Sequence, residues 1–171
     1  INQLYSLTKI TQTMKKITLL AMSFFAALFV NAQNGVEVTD LLTNSDFEDG
    51  ANGWTIIGGN KIAATAANYG YHATNFIEDW VAAPSTLGDK DWSQTIEVPN
   101  GIYVVRSLAH AILQSDAGLS PEGVYFYANK DEVQITTSHQ NPPAEYSVST
   151  VVTDGRLKVG YRIASCNVNW A

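Results

Sequence analysis

From residue 92 to residue 110 the chain reads WSQTIEVPNGIYVVRSLAH, with apolar and polar positions alternating on either side of a short break. On the first limb Trp92, Gln94, Ile96 and Val98 alternate with Ser93, Thr95 and Glu97, the two-residue period of a half-buried strand. Pro99-Asn100-Gly101 interrupts it. Proline fixes one turn dihedral and removes a ladder donor, while Asn and Gly accept positive φ, so the chain is expected to reverse there. On the second limb Tyr103, Val105, Ser107 and Ala109 share one side, and Ile102, Val104, Arg106, Leu108 and His110 share the other. The pattern predicts a hairpin with one apolar face.

The same alternation recurs along the chain. Residues 36–42 are expected to form a first strand, and Trp54 and Ile56 begin a second. Residues 61–67 are read as extended, against the helix propensity of their alanines, because the segment is short, lacks a cap and is flanked by glycines. Phe76, Glu78 and Trp80 alternate with Ile77, Asp79 and Val81. Residues 124–128 are apolar or aromatic on both sides, which predicts a strand covered on both faces, and residues 131–137 continue as a short strand. Asp154-Gly155 joins residues 146–153 to residues 157–163 and is the strongest short-range hairpin signal in the sequence. Lys158 and Arg162 face out of that last strand. Many short strands separated by turn signals predict an all-β, antiparallel β-sandwich or barrel.

The N-terminal stretch breaks this pattern. Residues 1–13 precede the first methionine and read as upstream read-through. Residues 14–32 hold Lys15-Lys16, an apolar run over residues 17–30 and small residues up to Ala32, which predicts a secretory signal peptide cleaved near Ala32. The run is shorter than the roughly 20 residues that span a bilayer, so the mature chain is expected to carry no transmembrane span. Residues 33–171 have the size of one domain, about 140 residues. All sixteen acidic residues, but not all ten Lys and Arg, lie in that part, so it is more acidic than the −6 of the whole chain. Such a charge disfavours nucleic acid and anionic membranes as partners. Cys166 is the one cysteine and provides no internal disulfide.

At Asn44-x-x-Phe47-Glu48, Gly53-Trp54, Trp92-x-Gln94, Pro99-Asn100-Gly101-x-Tyr103 and Asp154-Gly155-x-Leu157-x-Val159-Gly160, the chain resembles galactose-binding-like jelly-roll modules. Several families of carbohydrate-binding module in secreted bacterial glycan-processing proteins are of this kind. The resemblance runs from about Asn44 to Trp170 and implies a jelly-roll β-sandwich that binds polysaccharide or oligosaccharide. It also implies that Glu48 helps to hold a structural calcium, together with backbone carbonyls and an Asp near the C-terminus. That Asp has no match at Asn169-Trp170-Ala171, where the resemblance calls for one further strand, so residues 33–171 are read as a domain that is incomplete at its C-terminus.

Sugar rings present flat C–H faces, so aromatic platforms with polar side chains at the rim are the chemistry to look for. Tyr69, Tyr71, His72 and Trp80 supply those types close together, and Arg106 and His110 lie on one side of a single predicted strand. A core position for Trp80 and a merely solvated face for Arg106 and His110 are the alternatives, while Trp54 and Trp92 are assigned to the core. Catalytic signatures are lacking: there is no Gly-x-Ser-x-Gly and no His-Glu-x-x-His. Glu78 and Asp79, as strand neighbours, point to opposite faces rather than across a cleft. The sequence therefore predicts a secreted, non-catalytic carbohydrate-binding module, normally linked to a catalytic domain. A structural or protein-contact module, and a fragment of a glycoside hydrolase, stay open beside it.

Overall fold

The computed structural model describes residues 37–63, 66–69, 71, 73–113, 119–138 and 142–171. Nearly all belong to one compact unit, Thr39–Ala171. Among the described residues the strands are β1 (Thr55–Ile57), β2 (Lys61–Ala63), β3 (Phe76–Glu78), β4 (Lys90–Glu97), β5 (Gly101–Ala109), β6 (Val124–Ala128), β7 (Asp131–Gln134), β8 (Ala144–Val152) and β9 (Arg156–Ile163). All pairings are antiparallel: a five-stranded sheet in the order β1-β4-β9-β6-β7, and two-stranded sheets β5-β8 and β2-β3. No helix among these residues is long and apolar enough to cross a membrane.

The expected all-β sandwich is observed. Inward positions of the five-stranded sheet, including Trp92, Phe126, Leu157, Val159 and Ile163, are buried in one core with Val148 and Val152 of β8 and the half-buried Tyr103 and Val105 of β5. Polar contacts also cross between the sheets. Thr150 of β8 donates to Asp131 of β7 at 2.6 Å, and the Tyr146 hydroxyl accepts the Thr136 and Thr137 amides at 2.9 and 2.8 Å. The Ser107 and Tyr161 hydroxyls touch between β5 and β9.

Both expected hairpins turn out to be crossings between sheets. β4 pairs with β1 and β9, whereas β5 pairs with β8; β8 pairs with β5, whereas β9 pairs with β4 and β6. The reason lies in length. Facing sheets stand about 10 Å apart, and three residues at about 3.3 Å each reach that far. Val98-Pro99-Asn100 and Thr153-Asp154-Gly155 are each three residues long between strand ends. The turn chemistry encodes a reversal, which hairpin and crossing share, and the burial of Val98 between the layers decides for the crossing. The two crossings are tied together, because Val98 N–H donates to Gly155 O and Gly155 N–H to Asn100 Oδ1, both at 2.9 Å. Gly155 has φ 76°, a conformation that favours glycine there.

Other expectations need correction. Where the 36–42 strand was expected, the described residues form a 3-10 turn, Thr39–Leu41, and the following segment is held by a side chain instead of a ladder. Gln94 accepts the Thr43 amide at 2.7 Å and donates to Thr43 O and Gly53 O. Of the described residues in the 61–67 segment, Lys61–Ala63 form the strand, and residues 66–67 belong to the 3-10 turn Ala66–Tyr69. β6 is covered on both sides, as expected, with Tyr125 alone half-buried. Its outer tyrosines lie under cations from β9, Arg162 over Tyr125 at 4.5 Å and Lys158 over Tyr127 at 5.3 Å.

Residues 168–171 run between residues 79–81 and Ile112. Asp79 and Ala171 exchange backbone bonds at 2.9 and 3.1 Å, Val81 N–H donates to Asn169 O, and Ile112 N–H donates to Trp170 O at 2.7 Å. Val168 is fully buried there.

Gly160 of β9 lies between Ser93 and Tyr127. A Cβ at that position would stand 2.4 Å from Trp92 O and 2.9 Å from both Ser93 Cβ and the Tyr127 hydroxyl. The carbonyl belongs to a paired strand and cannot give way. Gly160→Ala should therefore destabilise the domain by about 1–3 kcal/mol, read as a lower urea midpoint at unchanged slope; an unaltered midpoint would contradict the close approach of β4 and β9.

Candidate functional site

The β2-β3 pair sets the site. Its register places Lys61 opposite Glu78 and Ala63 opposite Phe76. The chain leaves β2 through the 3-10 turn Ala66–Tyr69 and returns past Tyr71 to β3, which brings both tyrosines over Phe76. Tyr71 stacks on Phe76 with centroids 5.2 Å apart and planes 11° apart, and Tyr69 meets Phe76 edge-on at 5.7 Å. Trp170 enters from the C-terminal segment, with Tyr69 and His110 edge-on to it at 5.5 and 5.0 Å. Phe76, Ile112 and Trp170 are buried, and Ala63, Tyr69 and Tyr71 pack around them.

The polar groups of this cluster are paired. The Tyr71 hydroxyl lies 2.9 Å from His110 Nδ1, and Trp170 Nε1 donates to Glu78 Oε2 at 2.6 Å. Burial pushes the Tyr71 hydroxyl pKa well up, so it keeps its proton at any physiological pH. Burial also raises the Glu78 carboxyl, more than the Trp170 N–H and the nearby Lys61 lower it.

Trp80 stands at the rim. It is 49 % exposed, whereas Trp92 and Trp170 are buried and Trp54 packs against the core. Its backbone is fixed on both sides. The amide donates to Asp79 Oδ1 at 2.8 Å, the carbonyl accepts Lys61 Nζ at 2.8 Å, and Trp80 and Trp170 form an antiparallel bridge. The Lys61 ammonium lies 4.7 Å from the indole centroid. Lys61 also bonds Asp79 Oδ1, and the buried Lys90 bonds Asp79 Oδ2 at 2.7 Å. Burial acts to raise the Asp79 carboxyl, but Lys61, Lys90 and the Trp80 amide outweigh it and hold the carboxyl below the usual range.

The sequence candidates thus divide. Tyr69, Tyr71 and His110 come together, Trp80 is an exposed platform rather than core, and His72 lies outside the described residues. Arg106 and His110 separate. Arg106 is on the solvated outer side of β5, 3.8 Å from Glu145, while His110 is buried. Side-chain alternation holds only within a strand, and β5 ends at Ala109. Lys61, Asp79, Phe76 and Trp170 were not among the candidates. No local spacing marks them as a set, because the β2-β3 register and the return of residues 168–171 bring them together.

Glu48 is exposed, and its Oε1 accepts the amides of Thr74 and of Asn75, the latter at 3.1 Å, while Asn75 Nδ2 donates to Glu48 O at 3.2 Å. It thereby holds the loop that leads from Tyr71 into β3. Among the described residues no three His, Cys, Asp or Glu side chains are grouped to hold a metal ion.

Among solved structures the fold is similar to that of TmCBM61, a carbohydrate-binding module determined in complex with β-1,4-galactotriose: TM-score 0.59 at 18% identity, over 76% of this chain and 90% of that one. The enzymatically active domain of tailspike protein 4 from bacteriophage CBA120 also matches, with TM-score 0.48 at 15% identity over 77% of this chain and 21% of that chain. No protein-family model and no curated protein matches the chain. At this identity the likeness to TmCBM61 is one of fold, and it agrees with the galactose-binding-like jelly roll expected from the sequence.

Folding raises the Glu78 pKa, so the native chain holds that proton more tightly than the unfolded chain. The stabilisation is complete below the unfolded carboxylate range and is lost as pH rises through the folded value. Glu78→Gln keeps an acceptor for Trp170 and removes the titration. Relative to the unmodified protein, its Tm should rise as pH increases from about 4, the unfolded carboxylate range, and level off once the folded Glu78 has ionised. A Tm difference that stays constant as pH rises would show that Glu78 is not perturbed.

Proposed function

We propose that the chain is a non-catalytic carbohydrate-binding module that stacks a sugar ring on the Trp80 indole. The exposure of that indole carries the reading. An indole left half in water forgoes stabilisation of roughly 25 cal/mol per Å2 of apolar surface, yet here the fold fixes its backbone on both sides. The C–H face of a sugar would cover the ring. Lys61 and Asp79 beside it supply a donor and an acceptor for hydroxyls. The fold likeness to a module solved with β-1,4-galactotriose supports the class of ligand and makes β-1,4-galactan the first polysaccharide to try.

The non-catalytic part of the proposal rests on how the carboxylates are used. Asp79 is engaged by two lysines and Glu78 by the Trp170 indole, which leaves neither as the free member of an acid–base pair. The signal-peptide pattern supports secretion, and the module reading implies a larger glycan-processing protein as its covalent partner. A second reading, a protein-contact module, is favoured by exposed apolar residues at one end of the outer side of β5-β8, where Ile102 is 75 %, Val104 55 % and Val151 61 % exposed.

Affinity electrophoresis and titration calorimetry against β-1,4-galactan and a broad glycan panel test the proposal. Retention by at least one polysaccharide is expected. Trp80→Ala should weaken it about tenfold or more, since a lost stacking ring removes on the order of 1.5–3 kcal/mol, with Tm nearly unchanged because the side chain is exposed. No reducing sugar should be released. Absence of retention across the panel would leave the contact-module reading, and turnover abolished by a single carboxylate substitution would establish an enzyme.

A further inference from the structure

Asp79 has more positive charge around it than it needs. Its Oδ1 meets Lys61 and the Trp80 amide, and its Oδ2 meets Lys90 at 2.7 Å. The two ammonium groups differ in what they can do. Lys90 has a side chain only 6% exposed and also donates to Gly58 O at 2.5 Å, so it is fixed inside. Lys61 has a side chain 42% exposed, and besides Asp79 it meets the Trp80 carbonyl, the Trp80 ring and, across the strand pair, the charge of Glu78. If Lys61 turns outward, Asp79 keeps Lys90 and the Trp80 amide, and the buried Glu78, which loses a nearby cation, keeps its bond from the Trp170 indole. Lys61 is the exchangeable partner, and it stands directly over the proposed sugar platform.

Resting on the carbohydrate-binding reading, we propose that the Trp80 site prefers saccharides carrying an acidic group, and that Lys61 reads this group by exchanging Asp79 for it. A ligand carboxylate or sulfate forms with the ammonium a charge-assisted bond of the kind that a neutral hydroxyl cannot match. The chain as a whole carries a net charge of −6, which repels densely charged polyanions at range. The fitting ligand is therefore an oligosaccharide with an isolated anionic substituent on the ring that stacks.

A matched set of probes tests this: β-1,4-galactotriose, the same trisaccharide with its terminal C6 oxidised to a carboxylate, the methyl ester of that acid, and a C6 sulfate. Titration calorimetry should find the acid about tenfold tighter than its methyl ester, with the difference shrinking as salt is added. The sulfate shows whether charge alone or carboxylate geometry is read. In Lys61→Gln the acid-to-ester ratio should fall to about one, whereas Lys61→Arg should keep it well above one. Equal affinity for acid and ester, or a ratio unchanged in Lys61→Gln, overturns the proposal and leaves the carbohydrate-binding reading intact if Trp80→Ala still weakens retention. Loss of all glycan retention, with Trp80→Ala indistinguishable from the unmodified protein, removes both.

Discussion

The bond from Val98 N–H to Gly155 O joins the two places where the chain passes from one sheet to the other. The sandwich depends on those crossings. A domain of this size with a single cysteine has no disulfide to hold two sheets face to face, so closure comes from burial between the layers and from the geometry of the connections. Three residues are just enough to span the gap. With the Asn100 side chain also held by the Gly155 amide, neither crossing can lengthen or slip without disturbing the other. Once they are set, β4 must pair with β9 and β5 with β8, and the core follows.

The site depends on a second closure. The segment 168–171 lies between residues 79–81 and Ile112, and its bonds to both sides bring two tryptophans into register. Their fates differ because their neighbours differ. Trp170 is enclosed by Phe76, Tyr69 and His110 and hands its N–H to Glu78. Trp80, at the margin, has Lys61 over its ring and solvent beyond. The buried indole thus anchors the strand that presents the exposed one. Glu48 acts on the same loop from outside by holding the amides of Thr74 and Asn75.

The legibility of this arrangement in the sequence follows the range of the interaction. Alternation and turn residues are local, so strands β4, β5, β6, β8 and β9 could be read to within a few residues, as could the inward sides of β5 and β9. Sheet membership is not local. A Pro-Asn-Gly or Asp-Gly turn reverses the chain whether or not its two limbs pair, so two crossings read as hairpins. Parity failed at His110 for a related reason, since the count was carried one residue past the end of the strand. The second covered side of β6 was legible from its aromatic residues, whereas the Lys158 and Arg162 side chains that cover Tyr127 and Tyr125 come from β9 and are not local. Tyr69, Tyr71 and Trp80 could be named as candidates because aromatic residues clustered in a loop and at a strand end are visible locally. Lys61 and Asp79 were passed over because their partnership spans 18 residues and exists only in the β2-β3 register.

That register also explains why neighbouring carboxylates behave in opposite ways. Glu78 ends β3 and Asp79 follows it, and burial costs both carboxylates hydration. For Glu78, burial is met by one indole N–H and a lysine across the strand, and the carboxyl moves up. For Asp79, the same penalty is outweighed by two ammonium groups and an amide, and it moves down. Desolvation alone would have shifted both the same way. The difference comes from the two lysines, since the ammonium groups of Lys61 and of the buried Lys90 both reach Asp79.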